Sequence, residues 1–325
     1  MNTLLEVGLG SAERILGSRF LLAFLLPVVL AAGASGALAM AAADASPGDA
    51  LRAWQGFSAS SQLMAALWAV LSLVGAAYLL ALFHLPFLRL LEGYWPETAL
   101  LDGLRERRTE RHRRAAEERW RQVAELHAKQ EHTRASALAG ELAARYPPRP
   151  HLADGCLPTA LGNRLRAMEF YPLDRYGIDS VVIWPRLVPL LPPEATARVT
   201  SARTSLDVAV TLLGLSAVFG TAWPLVLLVL EGPGLLAALS LLAWLLAWGA
   251  YRAALQAATA YGQEVAVVFD LHRTALPRHL GFAVPVNPAE ERRMWDDLAQ
   301  FYLRNLPLPD RSAHGGAAAG GLGAQ

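Results

Sequence analysis

Four long apolar runs, separated by segments dense in charge, constrain this 325-residue chain more than any other feature of its sequence. The runs cover residues 20–43, 63–85, 208–230 and 235–250. A helix of about 20 apolar residues, at about 1.5 Å per residue, crosses the roughly 30 Å hydrocarbon core of a bilayer. Three fully charged residues stand between Arg19 and Arg89, namely Asp44, Asp49 and Arg52. The pattern predicts a membrane protein with four transmembrane helices.

The order of the runs predicts an all-α membrane protein with a helical cytosolic domain between spans two and three and a C-terminal cytosolic helix. Glu110 and Arg114 lie four residues apart in the order that stabilises a helix, so residues 97–145 are predicted to be a long charged helical region. Asn287-Pro288 is a cap followed by proline, and it predicts the start of the last helix. The predicted segments are an N-terminal amphipathic segment (1–19), a first transmembrane pair (20–91), a cytosolic helical domain (92–207), a second transmembrane pair (208–251), C-terminal cytosolic helices (252–311) and a disordered tail (312–325).

Basic side chains are distributed unevenly among the segments between the runs. Only Arg52 lies between the first two, and none lies between the last two. Because cytoplasmic loops carry the excess of arginine and lysine, we expect both termini and the large middle domain in the cytoplasm, with the spans in the lipid bilayer of a bacterial inner membrane. The net charge of +1 gives no reason to expect nucleic-acid binding.

Small residues recur along the first run at Ala32, Gly33, Ser35 and Gly36. Small side chains at such spacing let transmembrane helices approach closely. This face is interpreted either as an oligomer interface that lines a pore or as ordinary packing within one chain.

The strongest candidate cluster for chemistry follows the fourth run and consists of Glu264, Asp270, His272 and Arg273. Carboxylates in an apolar environment acquire tunable pKa values, which suits proton handling or cation binding. The alternative is a structural ion-pair network with the middle domain, since buried charges need partners. The candidate charge partners are Arg164, Arg166, Arg175 and Arg186. The sequence carries no P-loop, dinucleotide-binding turn, nucleophile elbow or HExxH motif, so no cofactor, metal or catalytic residue is predicted.

The stretch over residues 157–187 is the most chemically mixed part of the chain. Thr159 is the predicted N-cap of a helix that runs to about Tyr171, and residues 174–177 are predicted to be a helix end with Gly177 near the C′ position. The following segment, 180–191, is predicted to be an extended or interfacial segment and not a long regular element, because two prolines interrupt it. The single cysteine, Cys156, excludes an internal disulfide, and it is interpreted as an apolar filler or as a reactive thiol.

Four short motifs in this stretch and after the last run resemble a family of four-span membrane proteins from GC-rich bacteria of the actinobacterial type. The matching residues are Pro158, Thr159, Leu161, Gly162 and Asn163; Tyr176, Gly177 and Asp179; Trp184, Pro185, Arg186 and Leu187; and Phe269, Asp270, Leu271, His272 and Arg273. The resemblance implies the four-span fold, and it brings no activity, substrate or cofactor with it.

Three functions are consistent with these patterns. The first is a homo-oligomeric pore or channel gated from the cytosol, because the runs lack the midplane acids and bases of ion-coupled transporters and four spans are few for a pore in one copy. The second is a non-conducting scaffold or anchor subunit that docks a cytosolic protein partner. The third is a membrane enzyme that uses Glu264, Asp270 and His272; the missing catalytic motifs favour a non-enzymatic role.

Overall fold

The structure is a computed structural model that describes residues 17–307. Within that range the chain is all-helical and contains no strand, which confirms the predicted all-α class. The predicted disordered tail (312–325) and all but the last three residues of the predicted amphipathic segment (1–19) lie outside the described residues.

The described residues form a succession of helices. In chain order they are α1 (Leu21–Ala42), α2 (Pro47–Gln55), α3 (Ala59–Glu92), α4 (Ala99–Ala128), α5 (His132–Ala143), α6 (Ala160–Tyr176), α7 (Ser180–Leu187), α8 (Pro193–Val229), α9 (Gly234–His272), α10 (Ala275–His279) and α11 (Pro288–Arg304). Short helical turns lie at Ser18–Phe20, Arg149–His151, Leu152–Gly155 and Val188–Leu190.

Four of these helices, α1, α3, α8 and α9, are long and apolar enough to cross a membrane, as the four apolar runs predict. Between 6% and 22% of the residues in their most apolar windows are buried. Most of their apolar surface therefore faces outward, which is the arrangement of helices that contact lipid. The connection between the last two spans is a short turn in which Glu231 adopts a positive φ of 50°.

The described chain divides into two compact units. The first comprises residues 17–89 and 203–257, and the second comprises residues 90–202 and 258–307. The first unit therefore holds the apolar parts of the four spans. The predicted boundary at residue 207 falls a few residues later than this division.

The first unit packs around a small apolar core that α1 and α3 share. Ala23, Phe24 and Val28 of α1 are buried there with Ala77 of α3. Leu215 of α8 packs against the same cluster. The core thus joins the start of α1 to the middle parts of α3 and α8, and the first five residues of α1 form a π-helical turn.

The second unit contains the long charged region, which is two helices rather than one. Helices α4 and α5 form a hairpin around Val123, Ala135 and Leu142, all buried. Gln130, with a φ of 60°, reverses the chain between them. The predicted ion pair of Glu110 with Arg114 is present on α4.

Helices α6, α7 and α11 pack against one another in the second unit. Thr159 caps α6 by accepting a hydrogen bond from the Gly162 N–H, and Gly177 ends it in the left-handed conformation, so the predicted cap and the predicted end at Gly177 are confirmed. The helix is continuous past Tyr171 to Tyr176. Asn287 caps α11 as predicted. Trp295 of α11 is fully buried.

The prediction that residues 180–191 are extended is wrong. Asp179 accepts a hydrogen bond from the Val182 N–H and starts α7, which continues through Pro185 to Leu187. A proline inside a helix removes one hydrogen bond to the carbonyl four residues earlier. That carbonyl belongs to Val181, which is 67% exposed, so water can replace the missing donor.

Candidate functional sites

Asp270, the central acid of the predicted cluster, lies near the end of α9 and is held by two tyrosines of α6. The Tyr171 hydroxyl donates to both carboxylate oxygens at 3.0 Å. The Tyr176 hydroxyl donates to Oδ1 at 2.7 Å. Spaced five residues apart, the two tyrosines bracket the last turns of α6 and direct both hydroxyls to one carboxylate. Asp270 therefore joins α9 to α6.

Arg273 extends this network from α9 to α11. Its guanidinium lies 4.2 Å from the centre of the Tyr176 ring, and its Nε donates to Glu291 Oε1 at 2.7 Å. Trp295 Nε1 donates to the same oxygen at 3.4 Å. Since the side chain of Glu291 is only 12% exposed, the arginine supplies the compensating charge that a buried carboxylate requires.

The pKa values of both tyrosines in this network are raised above the ordinary value of a tyrosine. Burial, followed by the hydrogen bond to Asp270, raises the pKa of Tyr176 to about 12. The same two causes raise the pKa of Tyr171. Both hydroxyls therefore remain protonated donors at neutral pH, and each oxygen of the Asp270 carboxylate accepts at least one hydrogen bond from them. The arrangement suits a structural cross-link better than a proton-handling centre.

The other predicted members of the cluster do not converge on Asp270. Glu264 lies 3.8 Å from Arg198 of α8, at a partly exposed position. His272 ends α9. The predicted charge partners have these contacts: Arg164 with the Ala160 carbonyl, Arg166 with Glu169, Arg175 with the Tyr171 ring, and Arg186 with the Val182 carbonyl and the Tyr302 ring. Hydroxyls, rather than the predicted arginine side chains, thus satisfy the Asp270 carboxylate.

The most buried charged side chain among the described residues belongs to a second cluster, in the first unit. The sequence patterns do not predict this cluster. Asp207 of α8 is fully buried. Its Oδ1 lies 3.0 Å from His84 Nε2 and 3.1 Å from Arg203 Nε, and its Oδ2 accepts from Arg19 Nε at 2.8 Å and Nη2 at 2.6 Å. One carboxylate thus links α3, α8 and the turn that precedes α1.

Two features of the sequence explain why this cluster was missed. Asp207 stands one position before the predicted third span and was assigned to the middle domain. His84 lies inside the second apolar run but is uncharged in its ordinary neutral form, so it did not count as an ionisable group of that run. The usable signal was a histidine in an apolar run together with an acid at the edge of another run, since each needs a polar partner.

The Pro158–Asn163 motif has a structural role. The side chain of Asn163 is fully buried, donates to the carbonyls of Leu157 and Thr159, and accepts from the Leu157 N–H, all at 2.8 Å. The Thr159 hydroxyl also donates to the Glu92 carbonyl at 2.9 Å. The motif therefore ties the end of α3 to the start of α6.

The predicted small-residue face of α1 divides into two parts. Ala32 and Ser35 line a cleft in the first unit, where Trp223 Nε1 donates to Ser35 Oγ at 3.1 Å. A Cβ atom added at Gly33 or Gly36 would meet no other atom within 4 Å. Among the described residues, no side chain packs closely against the two glycines.

The described residues contain no group of three or more histidine, cysteine or acidic side chains placed to hold a metal ion. Cys156 is buried, and burial raises the pKa of its thiol to about 11, which supports the interpretation as an apolar filler. Comparison with known proteins adds no assignment: no protein-family model, curated protein or solved structure matches the chain. The resemblance to the four-span family therefore stays a prediction.

Proposed function

We propose that the chain is a non-conducting membrane scaffold, in which four spans anchor a helical body on the cytosolic face of a bacterial inner membrane and several copies assemble. The observation that carries this proposal is the distribution of polarity in the first unit. Five polar side chains of its helices are buried, namely His84, Asp207, Thr211, Ser216 and Ser240. The exposed polar side chains within the spans include small hydroxyls such as Ser72 and Thr221, and the Thr221 hydroxyl donates to the Ala217 carbonyl of its own helix. Large exposed side chains of the same helices are apolar, for example Leu79, Phe83, Val218, Leu228 and Trp248.

This distribution bears on the choice between a scaffold and a pore. In a ring of such chains, the face turned to the axis would be lined mainly by apolar side chains, whereas water-filled pores are lined by polar groups. Ser35, the polar residue expected at the axis, instead accepts a hydrogen bond from Trp223 of its own chain. The burial of polar side chains inside the unit, with apolar side chains on its surface, therefore favours the scaffold over the pore.

Self-association is supported by the open glycine face of α1. Gly33 and Gly36 are exposed, and a Cβ added at either would meet no other described atom within 4 Å. Without a hydrophobic driving force in lipid, helices associate where small residues permit close contact. A second copy is the partner that this proposal assigns to that face.

The orientation follows from the charges of the first unit. Arg19, Arg89 and Arg252 lie at the cytosolic ends of their spans in this proposal. The opposite connections carry three acids, Asp44, Asp49 and Glu231, and one arginine, Arg52. The positive-inside rule supports this orientation, with both termini in the cytoplasm.

The scaffold's cytosolic partner is proposed to be a protein with an acidic surface. Arg107 and Arg111 are exposed on α4, whereas Arg113 and Arg114 of the same helix pair with Glu110. The exposed arginines thus leave a basic face that an acidic partner would complement.

The pore remains a second candidate because the same glycine face would allow copies to pack closely around an axis, and a hydrophobic constriction can gate a channel. The mass of the protein in lipid nanodiscs, followed by conductance recordings of the same material in planar bilayers, separates the two. A discrete oligomer without conductance supports the scaffold, and a conducting oligomer establishes the pore. A monomer contradicts self-association in both.

Matched variants locate the interface. Gly33→Leu with Gly36→Leu is expected to reduce the oligomer, whereas Ala34→Leu, on another exposed face of α1, leaves it unchanged. If all variants have the mass of the wild-type assembly, the copies do not meet through this face.

A further inference from the structure

Helices α1, α3 and α8 enclose a cleft of about 570 Å³ in the first unit. Residues from all three helices line it, including Val28, Ala32, Leu79, Phe83 and Trp223. The polar atoms of Trp223 and Ser35 satisfy each other, so the cleft offers an apolar surface. Its volume lies within the roughly 300–1,000 Å³ typical of sites for small molecules.

The cleft opens onto the outer apolar surface of the unit. Leu79 is 59% exposed, Phe83 is 62% exposed, and Val218, also in the lining, is 64% exposed. In a bilayer these side chains contact hydrocarbon, and water is not available to fill the space between them. The medium that enters such a cleft is a lipid acyl chain.

The cluster of charged side chains around Asp207 lies beyond one end of the cleft. His84 directly follows Phe83 of the lining, and Asp207 precedes the lining residue Leu215 by eight residues, which is about 12 Å along a helix. The interfacial layer of a bilayer extends about 5–7 Å beyond the hydrocarbon on each side. Arg19 directly precedes the first apolar run, so its guanidinium is placed at the edge of the hydrocarbon when that run crosses the bilayer.

Two guanidinium groups, those of Arg19 and Arg203, bond the one carboxylate of Asp207. The Arg19 side chain is 49% exposed and uses only Nε and Nη2 for Asp207. A guanidinium carries five N–H donors in a fork that matches phosphate.

We propose that the first unit binds one anionic phospholipid, with the phosphate at the Arg19 guanidinium and one acyl chain in the cleft between α1, α3 and α8. Basic pockets between transmembrane helices are sites of this class. The site requires only the first unit in a bilayer, so it stands apart from the choice between scaffold and pore.

Native mass spectrometry of the full chain tests the proposal. The delipidated protein is supplied with phosphatidylglycerol or with phosphatidylcholine of identical acyl chains. We expect one bound lipid per chain, with phosphatidylglycerol retained about fivefold more strongly, the factor for one arginine beside an anionic headgroup. Equal retention of the two lipids would overturn the headgroup assignment.

Cleft-filling variants test the acyl-chain site. Ala32→Leu and Ala76→Leu place a larger side chain in the cleft from α1 and α3, and both are expected to lower lipid retention. Ala34→Leu and Ala66→Leu are the matched controls, since both alanines are exposed outside the lining. If fillers and controls retain lipid equally, the cleft is not the site.

Arg19→Gln is expected to abolish the preference for phosphatidylglycerol while acyl-chain binding persists, and an unchanged preference contradicts the role of Arg19. Because this variant removes a partner of a buried acid, a second measurement uses the wild-type protein. Phosphatidylglycerol with a diazirine on its acyl chain should label residues that line the cleft. Labelling confined to other faces of the spans overturns the site.

Discussion

Asp207 and His84 lie 123 positions apart in the sequence, yet the carboxylate of one is 3.0 Å from the imidazole Nε2 of the other. Both side chains are buried, at 0% and 6% exposure. An acid and a histidine removed from water require each other and the two neighbouring arginines. Their pairing fixes which faces of α3 and α8 meet at this end of the first unit.

Replacing Asp207 is expected to destabilise the first unit. Asp207→Ala leaves buried His84 and two arginines without their shared carboxylate. Breaking a fully buried ion pair costs about 3–5 kcal/mol, and the solvation of Arg19, whose side chain is 49% exposed, brings the expected loss below that range. Thermal unfolding in detergent or nanodiscs, monitored by circular dichroism, measures the effect. Asp44→Asn, at an exposed acid of the same unit, serves as the control. Equal stability of the two variants would show that the cluster contributes little.

The helices of this chain were predictable because hydropathy and end signals act locally. The four apolar runs correspond to α1, α3, α8 and α9, and Thr159 and Gly177 end α6 through interactions within a few residues of the chain. The error at α7 also has a local cause. In the structure, the Asp179 cap and the buried apolar face of α7 outweigh the preference of proline against helix.

The partners of the buried acids could not be predicted from the same signals. Tyr171 lies 99 residues before Asp270. The sequence does not show whether a tyrosine or an arginine of the middle domain lies beside the Asp270 carboxylate. Charge alone suggested an arginine because ion pairing is the general rule for buried acids. The structure uses hydroxyl donors instead, which only the geometry of α6 against α9 can specify.

The hydroxyl of Tyr176 is expected to stabilise the second unit in a way that depends on pH. Its pKa is raised from 10.0 to about 12 in the folded protein, so the folded state holds the proton more tightly than the unfolded state. This stabilisation is complete below about pH 10 and is lost as the pH rises through about 12. Tyr176→Phe removes a hydrogen bond to a carboxylate, which is worth about 1.5–3 kcal/mol.

Unfolding temperatures of the wild type and Tyr176→Phe between pH 7 and pH 11.5 measure this effect. The difference between the two proteins should be largest at neutral pH and should shrink above pH 10. Tyr302→Phe is a suitable control for general alkaline effects. A difference that stays constant across this range would contradict the proposed linkage.

Cys156 is expected to react slowly with thiol reagents. With a pKa of about 11, about one thiol in a thousand is ionised at pH 8, and the thiolate is the nucleophile. The residue is also only 7% exposed. Mass spectrometry after maleimide treatment of the folded protein should show little adduct, and the protein unfolded in dodecyl sulfate should react fully.

A positive control for that labelling is Ala115→Cys in a Cys156→Ala background, because Ala115 is exposed on α4. This variant should react rapidly when folded. If Cys156 reacts as fast as the exposed cysteine, its environment is open to water and the interpretation as an apolar filler is wrong.

Two glycines in helices should respond in opposite directions to alanine. A Cβ at Gly162 would overlap the Glu92 carbonyl oxygen and lie 2.9 Å from Leu157 Cδ1, whereas a Cβ at Gly140 of α5 would meet nothing within 4 Å. Alanine is favoured over glycine in a helix by about 1 kcal/mol. Forcing an extra carbon into a packed site typically costs about 1–3 kcal/mol, and here the opposing atom is backbone. Gly162→Ala should therefore lower the unfolding temperature and Gly140→Ala should raise it. If both variants are stabilised, α6 and the end of α3 are not in the close contact that places Asn163 and the start of α6.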